Sequence, residues 1–286
     1  MKILIFGIGG YVDAVLIPAL KKFNDLEIFV TSNNCINLFN FSKRHKLRSY
    51  NKQFNLSTFD AFFLCRAPLD NLEILKLIPS EKFVWIEKPL FPFIEEELIR
   101  IKNEICKNHK NLHVGLNRSS SGSMNLIKKF IKSDKNLIEI NYQIFKEEIS
   151  PYTWRNSRIY HSPFWVDGIN AYDLHRNYSQ LLNENANKND DFVSSNKLIN
   201  NDDGSMILNI IYESAKNKVI TKIGNVLESN IKINNKIFDI WDNKSAIKFC
   251  VNNIDDMFNR KFNFNNSLLS HYYMRDLLSE TMQYIY

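Results

Sequence analysis

Five short, almost uninterrupted apolar runs divide the first 115 positions of this chain, at 2–6, 26–31, 59–65, 83–87 and 112–115. Each is too short for a buried helix and apolar at successive positions, so each reads as a strand covered on both faces. Segments with helical spacing lie between them, at 13–23, 35–45, 69–78 and 93–108. In the first, Val15, Leu16, Ala19 and Leu20 share one face. Fully apolar strands alternating with helices predict a parallel sheet with helices on both sides.

After about position 118 the pattern changes. A helix is expected over 124–131, a half-buried strand over 137–145, and a long helix over 164–182. The Asn-, Asp- and Lys-rich stretch 183–201 reads as a loop. Several short alternating strands are expected over 205–250, as in Met206-Ile207-Leu208-Asn209-Ile210-Ile211-Tyr212, and a final helix over 266–286. Alternation of this kind predicts a mainly antiparallel sheet. With 286 residues the chain is long enough for two domains. The division falls at 1–118 and 119–286.

Composition excludes several classes. Hydrophobic residues at 44% and charged residues at 24% are those of a globular protein, not a disordered or fibrous one. The net charge of +6 is mild over this length, and basic residues cluster only in short pairs such as Lys128-Lys129, so nucleic acid is not an expected partner. No apolar stretch approaches the roughly 18 residues that a membrane span needs. The apolar run at 3–8 is short and ends in glycine, unlike a signal peptide. Cys35, Cys65, Cys106 and Cys250 are widely spaced with no C-x-x-C pair, so no metal site is expected. Free thiols fit a reducing cytoplasm.

Glycine is scarce, eight in all, yet three fall within the first ten residues. A strand, then Gly7-Ile8-Gly9-Gly10, then a helix is the arrangement that lets backbone approach a pyrophosphate at a helix N-terminus. The amides of Gly9, Gly10 and Tyr11 would face that group. The third glycine of the dinucleotide fingerprint would fall at position 12, which is Val12. The strand at 26–31 is followed by Ser32-Asn33-Asn34, with no carboxylate to grip a ribose 2′-hydroxyl. Neutral hydrogen-bonding groups do not repel a 2′-phosphate, so the cofactor leans toward NADP over NAD.

More specific is Trp85-Ile86-Glu87-Lys88-Pro89-Leu90, following a buried strand. With the glycine turn, Leu64-Cys65-Arg66-Ala67-Pro68, Val114-Gly115-Leu116-Asn117-Arg118, Trp154-Arg155 and Asp167-Gly168-Ile169-Asn170-Ala171-Tyr172-Asp173, it resembles the glucose–fructose oxidoreductase / inositol dehydrogenase (Gfo/Idh/MocA) family. The resemblance covers residues 1 to about 180. It implies a Rossmann doubly wound parallel sheet followed by an α+β domain with an open, mainly antiparallel sheet. It also implies an NAD(P)-dependent oxidoreductase acting by hydride transfer on a sugar, nucleotide-sugar or similar small polar substrate, assembled as a homo-oligomer. Cys65, Arg66, Pro68 and Glu87 would lie along the cofactor. Lys88 would stand between nicotinamide and substrate, where an ammonium stabilises alkoxide-like charge.

The sequence departs from the family at its acid/base pair. Val166 occupies the usual Asp slot and Asn170 the usual His slot. Asn170 can position a substrate but cannot carry a proton near neutral pH. Tyr160 and His161 are the nearest replacements, with Tyr152 and His175 behind them. Two other readings stay open: a C=N or C=C reductase of the same fold, and an inactive nucleotide-binding or scaffold relative.

Overall fold

The computed structural model describes residues 1–50, 55–91, 109–119, 121–132, 135–144, 165, 167–184, 193–202, 205–239, 242–261 and 264–282. The chain divides into two units. The first is Met1–Leu116 with Ala246–Phe264, and the second is Asn117–Ser245 with Asn265–Tyr286.

The first unit is built on six parallel strands: β1 (Lys2–Phe6), β2 (Glu27–Thr31), β3 (Arg48–Ser49), β4 (Ala61–Leu64), β5 (Phe83–Ile86) and β6 (Leu112–Val114). Their order is β3-β2-β1-β4-β5-β6, so the connections reverse direction between β1 and β4. The continuous apolar runs have the expected cause. Ile3, Leu4 and Ile5 are buried in succession, as are all four residues of β4.

The glycine turn leads into α1, π-helical over Val12–Leu16 and α-helical over Ile17–Leu20. Proline explains the wide turn. The Ile17 amide bonds the Val12 carbonyl five residues back, and Pro18 has no N–H to offer Ala14. Helix α2 (Cys35–His45) starts at Asn34, whose side chain accepts from the Asn37 amide at 2.9 Å. It ends on Lys43, Arg44 and His45, favourable against the helix dipole. Helix α3 (Pro68–Leu75) begins with proline in its first turn. The helix expected over 93–108 lies outside the described residues.

In the second unit, α4 (Ser121–Lys128) precedes a six-stranded sheet. Its strands are β7 (Asn136–Gln143), β8 (Val193–Asn200), β9 (Met206–Glu213), β10 (Asn217–Gly224), β11 (Asn230–Ile233) and β12 (Lys236–Phe238), in the order β12-β11-β7-β10-β9-β8. Only the β7–β10 pairing is parallel. Ile138, Ile140, Val219, Thr221 and Ile223 face one way and are buried. Helix α5 (Ile169–Glu184) packs on β7 and β10. The opposite face carries cross-strand pairs, Lys218 with Glu213, Lys232 with Glu139 and Asn141 with Asn230.

Two elements differ from the sequence expectation. The loop expected over 183–201 contains β8, which pairs antiparallel with β9 along its whole length. Seven of its eight residues are exposed, so neither face carries an apolar signature. The stretch 205–250, read as strands, ends in helix α6 (Asn243–Phe258). The division at 118/119 is also modified, because Ala246–Phe264 belongs with the first unit. Ala246, Cys250, Ile254 and Met257 fall three or four residues apart, and their shared face joins the core of Val12, Val15, Leu16, Phe63 and Trp85. Helix α7 (Phe264–Met282) follows. No described helix is long and apolar enough to cross a membrane.

Candidate active site

The residues singled out in the first unit gather at the carboxyl ends of its parallel strands. Backbone hydrogen bonds set them in a row: Gly7 N–H to Thr31 O, Cys65 N–H to Phe6 O, Glu87 N–H to Leu64 O and Gly115 N–H to Ile86 O, all 2.8–2.9 Å. In an open α/β sheet this edge, where the strand order reverses, is where ligands bind.

Gly7 cannot be replaced without strain. Its φ is +106°, and a Cβ there would lie 2.5 Å from the Cys65 carbonyl oxygen. Gly9 and Gly10 differ: both are exposed, and a Cβ on either would meet nothing within 4 Å. The first helical bond runs from the Asp13 amide to the Gly9 carbonyl at 3.0 Å, so the Gly9 and Gly10 amides precede it. The open space beside both glycines leaves the turn uncovered on that side. Ile8 and Tyr11 are half-buried against the core. The Tyr11 hydroxyl lies 3.5 Å from Cys250 Sγ, tying the glycine turn to α6, a contact no sequence motif announces.

Ser32 is half-buried and Asn33 exposed at the end of β2. Neither is acidic, but the third member of that polar run, Asn34, is occupied as the cap of α2. Arg66 is held by its own backbone. Its amide donates to Asn71 Oδ1 at 3.0 Å, and Asn71 Nδ2 donates back to its carbonyl at 3.1 Å. Its guanidinium pairs with Asp70 at 3.2 Å. Pro68 is buried. Burial pushes the Cys65 thiol up, and the Glu87 carboxylate adds to the effect. Cys65 is therefore a neutral thiol, and its contribution to the turn is its carbonyl oxygen.

Lys88 stands two residues beyond the end of β5, after Glu87. The Lys88–Pro89 peptide is cis, and Leu90 and Phe91 are fully buried, which anchors the segment on its far side. Behind it, Phe63, Trp85 and His113 stack across β4, β5 and β6, with centroid separations of 5.6 and 5.1 Å. Gly115 is the small residue this arrangement needs. A Cβ there would lie 2.5 Å from Glu87 Oε2 and 2.9 Å from Trp85 Nε1. His113 bonds Asn253 Oδ1 through Nε2, and burial lowers its pKa to about 3. It is a structural imidazole.

In the second unit, Asn170 is half-buried in the first turn of α5. Tyr152, Tyr160 and His161 lie outside the described residues. His175 is committed to packing: its Nδ1 pairs with Thr221 Oγ1 at 2.8 Å, and burial lowers its pKa to about 4. Near it, burial raises the Asp173 pKa to about 6. Ser270 Oγ donates to Asp173 and accepts from Arg176 at 3.1 Å.

No protein-family model matches the chain, and no curated protein matches it in sequence. Solved structures do match. A dehydrogenase (MviM) from Clostridium difficile is 15% identical, covers 98% of this chain and 99% of its own, and has a TM-score of 0.68. A Gfo/Idh/MocA family oxidoreductase from Vibrio cholerae is 14% identical, covers 100% and 99%, and also has a TM-score of 0.68. The WlbA (WbpB) dehydrogenase from Thermus thermophilus, solved in complex with NAD and UDP-GlcNAcA, is 10% identical, covers 98% and 95%, and has a TM-score of 0.66. End to end, the chain carries the fold of the Gfo/Idh/MocA oxidoreductases.

Proposed function

We propose that the chain is an NAD(P)-dependent oxidoreductase acting on a sugar, nucleotide-sugar or similar small polar substrate. The observation that carries this is Lys88, which follows β5 on the edge where Gly7 begins the open glycine turn. A nicotinamide cofactor, when bound, supplies hydride transfer. The chain's residues do the rest. Amides of Gly9, Gly10 and Tyr11 donate to the pyrophosphate. Ser32 and Asn33 hydrogen-bond the adenosine ribose without repelling a 2′-phosphate. Lys88 Nζ donates to the reacting substrate oxygen and offsets the charge that develops there. Asn170 orients the substrate, and the proton comes from Lys88, Tyr160, His161 or solvent. The complex of WlbA with UDP-GlcNAcA favours a nucleotide-linked sugar. A second reading, reduction of C=N or conjugated C=C bonds, is favoured by Asn170 itself, since such substrates take their proton from solvent. By the same resemblance the working form is a homo-oligomer.

Thermal shift against NAD, NADP and their reduced forms tests binding first. A ligand at 100 times its Kd should add about 2.7 kcal/mol. NADPH should bind at least comparably to NADH, and an NADH preference beyond about tenfold would overturn that cofactor assignment. Turnover is then measured on UDP-sugars and free polyols. Lys88→Met should abolish it while leaving dinucleotide affinity within a few-fold. Wild-type turnover in that variant would overturn the lysine's role.

A further inference from the structure

A second polar site lies at the opposite end of the first sheet, near the amino ends of β5 and β6. A cavity of about 140 Å³ is lined there by Phe83, Lys110, Asn111, Leu112, His113, Met257 and Arg260. Taking about 30 Å³ per water, that is room for four or five water-sized groups. Two of the lining side chains are cations, and His113 is neutral because burial lowers its pKa to about 3. The Arg260 guanidinium sits over the Phe83 ring, 5.9 Å from its centroid. Among the described residues, no carboxylate forms an ion pair with Lys110 or Arg260. Asn111 is fixed from behind, its Nδ2 donating to the Glu81 carbonyl at 2.7 Å.

Arg260 is placed at the cavity by the way α6 ends. Its φ is +53°, in the left-handed region just past α6, where glycine or asparagine is the favoured residue. The helix closes there through Arg260 N–H to Met257 O at 3.1 Å and Lys261 N–H to Asp256 O at 2.9 Å. Lys46 closes α2 in the same conformation, with φ +55°, so the chain ends two helices on a left-handed basic residue.

We propose that this cavity binds a small anion of the phosphate class, either inorganic phosphate or the phosphoryl end of a small ester. Two exposed cations, neither ion-paired among the described residues, suit a dianion, and a guanidinium is a planar fork that can hold two of its oxygens. The space suits a five-heavy-atom group rather than a whole nucleotide. The site stands apart from the glycine turn and does not depend on the dinucleotide reading.

The test is a titration of the full chain with inorganic phosphate, followed by calorimetry and thermal shift, with chloride at matched ionic strength as control and glycerol 3-phosphate as a second probe. Saturable phosphate binding in the millimolar range or tighter is expected. Lys110→Gln and Arg260→Gly should each weaken it about tenfold or more. Arg260→Gly should be at least as stable as the wild type, because glycine relaxes the left-handed backbone, and that separates a ligand role from a structural one. Gly9→Asp, which blocks the pyrophosphate position, should leave phosphate binding intact. Tighter binding of glycerol 3-phosphate than of phosphate identifies the ester as the ligand, and the reverse identifies the free ion. The proposal is overturned if the wild type shows no saturable binding, if binding survives both cavity variants, or if Gly9→Asp abolishes it.

Discussion

The two units bury polarity in opposite ways. The interior of the first is apolar over most of its extent, and His113, kept neutral by burial and bonded to Asn253, is a buried imidazole there. The second buries Asp173, His175, Thr221, Ser270 and His271 along α5, β10 and α7, and pairs Asn136 with Asn217 at 3.0 Å. A parallel sheet covered on both faces leaves little room for polar groups. A sheet with one polar face meets helices that carry polar groups inward, and each of those groups needs a partner. The contrast makes the two units respond differently to pH and to substitution.

The largest expected difference is in acid. His113 falls from 6.5 to about 3 in the folded unit, so the unfolded chain binds its proton first. Its contribution is complete above pH 6.5 and is lost as pH falls toward 3, by about 5 kcal/mol. In the second unit two shifts oppose each other. His175, lowered to about 4, costs about 3 kcal/mol over the same descent. Asp173, raised to about 6, returns about 3 kcal/mol as pH falls through 6 and its carboxylate is protonated. Peptide-resolved hydrogen exchange, corrected for intrinsic rates, should show the first unit loosening between pH 6.5 and 4 while the second changes little. Equal loosening of both would break the comparison.

Next comes the glycine turn. Gly7→Ala forces a side chain onto the Cys65 carbonyl at a positive φ and should cost about 3–4 kcal/mol in denaturant unfolding. Gly9→Ala, with open space around it, should change stability by less than about 1 kcal/mol and weaken dinucleotide binding instead. Similar stability losses in the two would mean that the turn is packed rather than open.

The smallest effect sharpens the second unit. Asp173→Asn keeps an acceptor for Ser270 and removes the buried charge. It should stabilise the protein at pH 8 by about 1–3 kcal/mol and leave His175 to dictate a loss in acid. An unchanged pH profile would show that Asp173 is not the titrating group.

Legibility followed the same divide. The parallel strands were readable because burial on both faces leaves an unbroken apolar run, as at 61–64. The residues of the carboxyl edge were readable because Gly7, Glu87, Lys88 and Pro89 stand at strand ends. β8 was not, since an exposed edge strand is held by backbone hydrogen bonds to β9 and its side chains carry no pattern. The four-residue spacing of Ala246, Cys250 and Ile254 was present in the sequence, but the strand-like stretch before it masked the helix. Asn71 and Tyr11 had no signal, because their roles depend on which distant backbone or thiol they meet. Lys110 and Arg260 are 150 positions apart and meet only through the fold.

The return of Ala246–Phe264 to the first unit has a consequence for how the chain is made on the ribosome. Domains generally fold as units during synthesis, the N-terminal one first. Here the N-terminal unit cannot finish when its sixth strand emerges. Ile254 and Met257, which complete the core around Leu16 and Trp85, are synthesised only after the whole second sheet. The nascent first unit therefore waits with part of its apolar face uncovered, a state that calls for chaperone protection. A fragment ending at 118 should be recovered as aggregate, whereas supplying 246–264 through a short linker after residue 116 should restore a soluble unit. The order of translation thus makes assembly of the first unit contingent on completion of the second.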